Sequence, residues 1–322
     1  MRLARFELNG QARVGILDTD AVVDLNPAYR HLFGPERRGP ECIWGSMEAF
    51  LRGGEDALSK ARAVAEKVSG GVREPSWYIP AEKVALLPPI ERPGKMLAVD
   101  YNHPRFIKDV YEYLERKGFN VPHWEQPKWP WFFVKLESTI VGPGGTIFRP
   151  KGVTTLDAEG ELAIVIGKTG ESIPEEDAFS YVAGYTLFND ISDRATEFTP
   201  SPSVNHRLFF LGKNSETFGP LGPCIYTPDE MEDVRQLVVE VLVNGKKTYD
   251  YGIGEAIFPV EKLVSFFSFV FRLEPGDVIA MGSGGGCGGL QNPSRYLQPG
   301  DRVSVRIPGV GQLDNIVEEE TA

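Results

Sequence analysis

The sequence predicts an α+β protein that is mainly β, with a large mixed-sheet domain preceded by a small α/β domain. Strand-like patterns outnumber helical ones, and the hairpin and Pro-Gly turns between them are too close together for the helical crossovers of a parallel sheet. A proline-rich stretch near residue 90 separates the two parts. With 322 residues the chain can hold two domains, which we place at residues 1–90 and 91–322.

The N-terminal domain is predicted to contain a hairpin, a third strand and a helix. RLARFEL and ARVGILD have strand patterns and are joined by Asn9-Gly10, a dipeptide typical of two-residue hairpin turns; AVVDL follows as the third strand. Residues 47–68 place apolar side chains at helical spacing. Five prolines between residues 75 and 93 then predict an extended linker.

The large domain is predicted to be a succession of strands, turns and short helices. Strand patterns are carried by residues 95–99, both halves of FFVKLESTIVGPGGTIFRP, LAIVI, GYTLFNDISDR and both halves of LVVEVLVNGKKTYDY, which turns at Asn244-Gly245. Helical patterns are carried by residues 106–117, by 175–183 and by the apolar part of PVEKLVSFFSFVFRLEPGD. The pattern L-x-P-G-D occurs twice, with Gly276 and Gly300 24 residues apart, which predicts two successive turn-and-strand pieces of one sheet.

The composition argues against several classes of function. The net charge of −11, from 34 basic and 45 acidic residues without a Lys/Arg run, argues against nucleic-acid and anionic-membrane surfaces, so we expect a small-molecule partner. No stretch approaches the roughly 20 apolar residues of a membrane span, and no apolar signal core is present. Because Cys42, Cys224 and Cys287 are far apart and lack C-x-x-C spacing, we expect neither disulfides nor a thiolate metal site, and a cytoplasmic location.

A glycine-rich stretch, GSGGGCGG, formally matches the dinucleotide motif G-x-G-x-x-G. It is followed by LQNPSRYLQPGD, where Pro293 and the absence of a helical pattern leave no helix N-terminus for a pyrophosphate. We therefore predict neither a dinucleotide site nor a P-loop. The glycines are expected to let the backbone approach a ligand closely and donate N–H groups to it.

Two carboxylates, Glu159 and Glu161, precede the apolar run LAIVI and would share one face of a strand. If that strand is buried, their repulsion must be relieved by protonation, by a cationic side chain or by a metal ion; a solvated strand end is the alternative. Asp100 and Asp190 follow two other predicted strands. Oxygen ligands suit Mg²⁺, with Ca²⁺ or Mn²⁺ also possible.

Five motifs around these residues resemble, in the same order, those of the fumarylacetoacetate hydrolase superfamily: LDAEGELAIVIGK, YVAGYTLFNDISDRATE, GKNSETFGPLGPCIYTPDE, LEPGDVIAMGSGGGCGG and LQPGDRVSVRIPGVGQLDN. The resemblance covers about residues 90–317. It implies a mixed β-roll catalytic domain like the fumarylacetoacetase C-terminal domain, and a homodimer. It also implies that Glu159, Glu161 and Asp190 hold the metal ion, with Asp100 as a fourth ligand, as in the fumarylacetoacetase branch.

The implied activity is hydrolytic cleavage of a C–C bond in a 1,3-dicarbonyl or acylpyruvate-type acid through a metal-bound enolate. On this resemblance Lys213 neutralises substrate or oxyanion charge. Tyr101, Ser283 and Gly284 are expected to bind substrate. Arg194 could do the same, or could be a structural partner of nearby acids.

The general base departs from the family pattern. Hydrolytic relatives place a histidine, activated by a glutamate, on a lid just after the turn that corresponds to Asp100-Tyr101. Here His103 is the nearest candidate, and His123 and His206 are others. Glu112 or Glu115 could be its partner. Non-hydrolytic enolate chemistry, by a decarboxylase, a tautomerase or isomerase, or a hydratase, therefore stays open, as does a ligand-binding protein without turnover. Substrate identity is expected to depend on a lid over residues 106–131.

Overall fold

The computed structural model describes residues 1–34, 43–121, 125–198, 209–231 and 233–320. Within these ranges 19 strands form three sheets. The strands are β1 Arg2–Leu8, β2 Gln11–Leu17, β3 Ala21–Asp24, β4 Tyr78–Pro80, β5 Ala85–Leu87, β6 Met96–Asp100, β7 Trp131–Val134, β8 Ile140–Val141, β9 Thr146–Arg149, β10 Leu156–Asp157, β11 Gly160–Ile166, β12 Val182–Asn189, β13 Ser192–Asp193, β14 Gly219–Tyr226, β15 Val238–Val243, β16 Lys246–Gly252, β17 Val278–Ala280, β18 Arg302–Ile307 and β19 Gly311–Glu319.

The same ranges contain seven α-helices and several short 3₁₀ turns. The helices are α1 Leu25–Phe33, α2 Met47–Arg52, α3 Gly54–Ser69, α4 Pro104–Arg116, α5 Arg194–Glu197, α6 Phe209–Lys213 and α7 Val260–Val270. None of the helices described is both long enough and apolar enough to cross a membrane.

A 12-stranded sheet forms the centre of the fold, in the order β4-β3-β2-β1-β14-β12-β11-β17-β6-β7, with β5 beside β1 and β8 beside β14. Its pairs are antiparallel except β17 with β6 and β14 with β8. A second sheet of five strands has the order β16-β15-β18-β19-β9, and β10 pairs with β13. The predicted mixed, mainly antiparallel sheet is thereby confirmed.

Strand β11 shows how the layers pack. All seven of its residues are buried. Leu162, Ile164 and Ile166 point into a core shared with the five-stranded sheet, whereas Ala163 and Val165 point into a core shared with helices α1–α3. A strand covered on both faces needs apolar residues at every position, which explains the uninterrupted LAIVI run.

The N-terminal residues continue the central sheet. Strand β1 pairs with β14 through Arg2 with Tyr226 and Leu3 with Ile225. The Asn9-Gly10 hairpin forms as predicted, with both residues at positive φ (54° and 74°). Residues 1–90 thus supply sheet strands at one edge and a helical layer on one face.

Several local predictions need correction. The helix predicted over residues 47–68 is two helices, α2 and α3, which meet at Gly53, and α1 was not predicted at all. The helix predicted over residues 175–183 is a 3₁₀ helix, Glu175–Tyr181. The strand predicted before the Gly-Pro-Gly-Gly turn is two short strands, β7 and β8, with a 3₁₀ turn between them.

The two L-x-P-G-D units were predicted to belong to one sheet, and this is wrong. The first leads into β17 of the central sheet and the second into β18 of the five-stranded sheet. Each unit makes the same turn, with Gly276 and Gly300 at φ values of 91° and 92°. The repeated pattern therefore specifies a turn and not a common sheet.

Candidate active site

Strand register brings three carboxylates together at one edge of the central sheet. Strands β11 and β12 are antiparallel, with Gly160 opposite Asn189, so the start of one strand meets the end of the other. The Asp190 N–H donates to the Glu159 carbonyl (2.8 Å), which extends the pairing by one step. Carboxylate oxygens of Glu159, Glu161 and Asp190 lie within 4.8 Å of one another, and all three residues are buried.

Two lysines neutralise part of this charge. Lys213, at the end of α6, places Nζ 2.6 Å from Glu159 Oε2 and 2.7 Å from Asp190 Oδ2. Lys135 follows β7 and donates to Asp190 Oδ1 (2.8 Å), to the Phe218 carbonyl (2.8 Å) and to the Lys213 carbonyl. Two buried cations thus fix the Asp190 carboxylate. Burial by itself would lower the pKa of Lys213, but the nearby Asp190 and Glu159 carboxylates together outweigh it and raise the pKa well above its usual value, so that Lys213 stays charged.

Arg194 is fully occupied by carboxylates. Its guanidinium donates to Asp157 Oδ2 from Nε and Nη2 (3.0 and 2.9 Å), to Glu197 Oε2 (2.9 Å) and to Glu159 Oε1. The side chain is closed off from solvent. This geometry matches the structural alternative for Arg194, which orients Glu159.

Glu161 differs from its two neighbours because no cationic side chain among the described residues forms a salt bridge with it. Its Oε2 accepts one bond, from the Gly282 N–H (2.8 Å). Burial, reinforced by the repulsion of Asp190 and Glu159, raises its pKa well above the usual value.

The donor set fits a divalent cation. Five buried carboxylates surround three buried cations: Asp157, Glu159, Glu161, Asp190 and Glu197 against Lys135, Arg194 and Lys213. The excess negative charge is relieved by a cation of charge two, and oxygen ligands without sulfur or imidazole suit Mg²⁺, Mn²⁺ or Ca²⁺. Glu159, Glu161 and Asp190 are the residues that would hold it.

Asp100 ends β6 near these carboxylates, and Tyr101 follows it. Asp100 lies outside the group of three, and burial, partly offset by Lys213, raises its pKa to about 7. Tyr101 has a φ of 54°, rare for a residue with a side chain, and its ring packs edge-on against Trp131 (5.5 Å) and Phe106 (6.2 Å). Such strained backbone is concentrated at functional sites.

His103 and Glu112 are not assembled as a pair. The His103 ring is buried edge-on against Tyr251 (4.7 Å), and burial lowers its pKa to about 4. Glu112 lies on the exposed side of α4, and its recorded ion-pair partner is Lys108 (3.7 Å). The other predicted histidines, His123 and His206, lie outside the described residues, as does Cys42.

The glycine-rich stretch, residues 282–290, is buried and forms one wall of the site; we call it the glycine loop. A Cβ atom at Gly284 would lie 2.1 Å from Cγ of Tyr251, and one at Gly285 would lie 2.2 Å from Cγ of Arg105. The absence of side chains at Gly284 and Gly285 therefore leaves the space that Tyr251 and Arg105 occupy. Ser283 bonds the Tyr249 hydroxyl (2.9 Å).

Sequence reasoning missed several residues of this network. Asp157, Glu197, Tyr249 and Tyr251 were given no role. Asp157 and Glu197 lie inside the motifs LDAEGE and NDISDRATE, two and three residues from predicted site residues. The tyrosines lie on β16, where nothing local distinguishes them from ordinary core residues.

A protein-family model matches most of the chain. The model described as fumarylacetoacetate (FAA) hydrolase C-terminal matches residues 95–318. This range holds every residue of the carboxylate and cation network described above.

Similar proteins cover the whole chain. Oxaloacetate tautomerase YisK of Bacillus subtilis is 32% identical over 318 residues, which are 98% of this chain and 99% of that protein. The mitochondrial oxaloacetate tautomerase fahd2 of Xenopus laevis is 33% identical over 321 residues, 98% of this chain and 90% of that protein. Maleylpyruvate hydrolase from Sphingobium sp. SYK-6, solved with manganese(II) and pyruvate, has a TM-score of 0.70 and 25% identity, with 100% of both chains covered.

Proposed function

This chain belongs to the fumarylacetoacetate hydrolase family, and from that premise we propose that it is a divalent-metal-dependent tautomerase of oxaloacetate or a similar 2-oxo dicarboxylic acid. The reaction moves one proton between carbon and oxygen, and both forms share an enolate. This proposal replaces hydrolytic C–C cleavage as the main interpretation, because two relatives matched over nearly their whole length are oxaloacetate tautomerases.

One observation carries the choice of reaction. Hydrolysis needs a base that deprotonates water, and the candidate pair is not assembled, since His103 is packed on Tyr251 while Glu112 is exposed beside Lys108. An imidazole with a pKa of about 4 is neutral at physiological pH. Among the described residues no carboxylate is hydrogen-bonded to His103, so none makes it a stronger base. Keto–enol exchange requires no activated water.

The chain's own residues hold and polarise the substrate in this proposal. A divalent cation on Glu159, Glu161 and Asp190 would supply a Lewis acid that stabilises enolate charge. Lys213 stays protonated and faces the same space, so its ammonium group would offset developing negative charge on a substrate oxygen. Asp100 is proposed as an additional oxygen ligand, and Tyr101 and Ser283 as substrate contacts.

Hydrolytic cleavage of an acylpyruvate-type acid is the second candidate. It is favoured by the likeness to the maleylpyruvate hydrolase solved with manganese(II) and pyruvate. A pyruvate fragment on the same donor set would be a product of cleavage, whereas tautomerisation releases no fragment.

The two candidates are separated by product analysis. The chain, stripped with EDTA and reloaded with Mn²⁺ or Mg²⁺, is mixed with the enol of oxaloacetate and, separately, with an acylpyruvate. Faster loss of enol absorbance with formation of the keto acid, and an intact acylpyruvate, support the tautomerase. Two acid products from the acylpyruvate with no effect on the oxaloacetate enol support the hydrolase. A rate that is unchanged by EDTA or by Glu159→Gln overturns both.

We also propose that two copies of the chain associate through β7. This strand lies at one edge of the central sheet and carries exposed apolar side chains, as do neighbouring segments: Trp129, Trp131, Val134, Phe210 and Phe269. Among the described strands β7 has a partner on one side only, and an exposed sheet edge with an apolar surface favours association. Light scattering is expected to give a dimer for the native chain and for Val72→Glu, and a monomer for Trp131→Glu. A native monomer overturns this proposal.

A further inference from the structure

Helix α4 lies across the outer side of the glycine loop and is bonded to it at several points. The Asp109 carboxylate accepts the Gly286 N–H (2.6 Å), and Arg116 Nη2 donates to the Leu290 carbonyl (2.6 Å). Arg105, four residues before Asp109, packs on the loop so closely that Gly285 has no room for a side chain. The helix and the loop are therefore docked along most of the loop's length.

The inner side of the same loop is bonded to the carboxylate cluster. The Gly282 N–H donates to Glu161, and Gly289 lies against Asp157, which holds Arg194. The glycine loop is thus the physical connection between α4 and two of the site's carboxylates. The position of Glu161 depends directly on the loop, because its carboxylate accepts a hydrogen bond from the Gly282 N–H.

A loop of this composition does not hold its shape by itself. Six of its nine residues are glycine, and Gly286 has a φ of 104°. Glycine loses more backbone freedom on folding than any other residue, so the ordered loop depends on its contacts. A hydrogen bond with an ionised partner is roughly twice as strong as a neutral one, so Asp109 at Gly286 and Arg116 at Leu290 are the strong restraints that α4 supplies. Of the two, Asp109 acts nearer to Gly282, the residue that bonds Glu161.

We propose that Asp109 is a positioning residue that fixes the glycine loop and so couples the docking of α4 to divalent-cation binding at Glu161. The proposal rests on the metal site put forward above. Because coupling is reciprocal, loosening the loop weakens cation binding, and the bound cation in turn holds α4 more tightly on the loop.

Three variants on one helix test it. Asp109→Ala removes the acceptor, Asp109→Asn keeps an oxygen that can accept the Gly286 N–H, and Lys108→Gln is an exposed neighbour as control. Mn²⁺ affinity is measured by calorimetry, and hydrogen exchange is followed in peptides that cover residues 282–290 and 104–116. For Asp109→Ala we expect Mn²⁺ affinity lower by about threefold to tenfold and loop exchange faster by roughly tenfold. Asp109→Asn, whose neutral oxygen accepts a bond roughly half as strong, recovers part of both, and Lys108→Gln matches the native chain.

Wild-type measurements keep the test decisive if Asp109→Ala does not fold. Mn²⁺ is then expected to slow exchange in the α4 peptide of the native chain, although the ion is proposed to touch no residue of that helix. Either of two results overturns the coupling alone. In the first, the native chain binds Mn²⁺ but exchange in α4 does not slow. In the second, the Asp109→Ala chain has native Mn²⁺ affinity and native exchange in the loop. A native chain that binds no Mn²⁺ overturns the metal site as well.

Discussion

The Nζ atom of Lys135 lies 2.8 Å from Oδ1 of Asp190, and both side chains are excluded from solvent. The same ammonium group donates to the backbone carbonyls of Lys213 and Phe218, so all its hydrogen-bonding capacity is directed inward. Burial lowers the pKa of Lys135, and the neighbouring Asp190 opposes this effect. A buried cation in this position holds a proposed metal ligand and the backbone of Lys213 together.

Replacing Lys135 by Met is expected to lower the free energy of unfolding by about 3 kcal/mol, because it leaves a buried carboxylate with one of its two cations missing. Urea denaturation measures the change, with Lys128→Met, an exposed lysine, as the control. If both variants unfold at the same urea concentration as the native chain, Lys135 does not stabilise the site.

Glu161→Gln is expected to have opposite effects on stability and on metal binding. The uncharged amide removes a buried carboxylate that is repelled by Asp190 and Glu159, so the metal-free chain should gain about 1 kcal/mol of stability. Mn²⁺ affinity should fall by at least tenfold, since one carboxylate ligand is lost. Thermal unfolding in EDTA and Mn²⁺ calorimetry measure the two effects, with the exposed Glu176→Gln as control. A destabilised variant with full affinity would contradict the assignment of Glu161.

The carboxylates could be predicted because the pattern that indicates them lies in residues adjacent to them in the sequence. LAIVI is apolar at every position, which marks a strand buried on both faces, and acidic residues directly before such a strand need compensation. Asn9-Gly10 specified its hairpin equally directly, since both positions require the positive φ that these residues tolerate.

What could not be predicted depends on contacts between distant segments. Lys135 reaches Asp190 because the chain crosses from β7 at the sheet edge to β8 beside β14, and no pattern near residue 135 records that crossing. Helix α1 was missed because Asn26-Pro27 resembles a turn, although proline is tolerated in the first turn of a helix. The glycine loop was predicted to approach a ligand, but its tight contacts are with Tyr251 and Arg105.

Gly284→Ala is expected to destabilise the chain by about 2 kcal/mol or more, because the added methyl group would overlap the buried Tyr251 ring and force the loop or the ring to move. Mn²⁺ affinity should fall with it, since the loop carries the Gly282 N–H that Glu161 accepts. Gly70→Ala is the matched control, because its φ is −74° and its nearest atoms would be at 3.4 Å. Equal melting temperatures for the two variants would show that the loop yields without cost.

His103 is expected to make the chain less stable as pH falls below neutral. Its pKa is about 4 in the folded chain, against an ordinary value of 6.5, so between these limits the unfolded chain binds a proton that the folded chain does not. The stability supplied by the neutral, buried imidazole is complete above pH 6.5 and is lost progressively as the pH falls to about 4, by about 3 kcal/mol in total.

Denaturation of the EDTA-treated chain across this pH range measures the loss of stability, and His103→Gln should remove this share of the pH dependence. Buried carboxylates with raised pKa values, such as Glu161, act in the opposite direction in both chains, so the difference between the chains isolates His103. Parallel pH profiles for the two chains would mean that His103 is protonated equally easily in both states, and thus that its burial against Tyr251 does not keep it neutral.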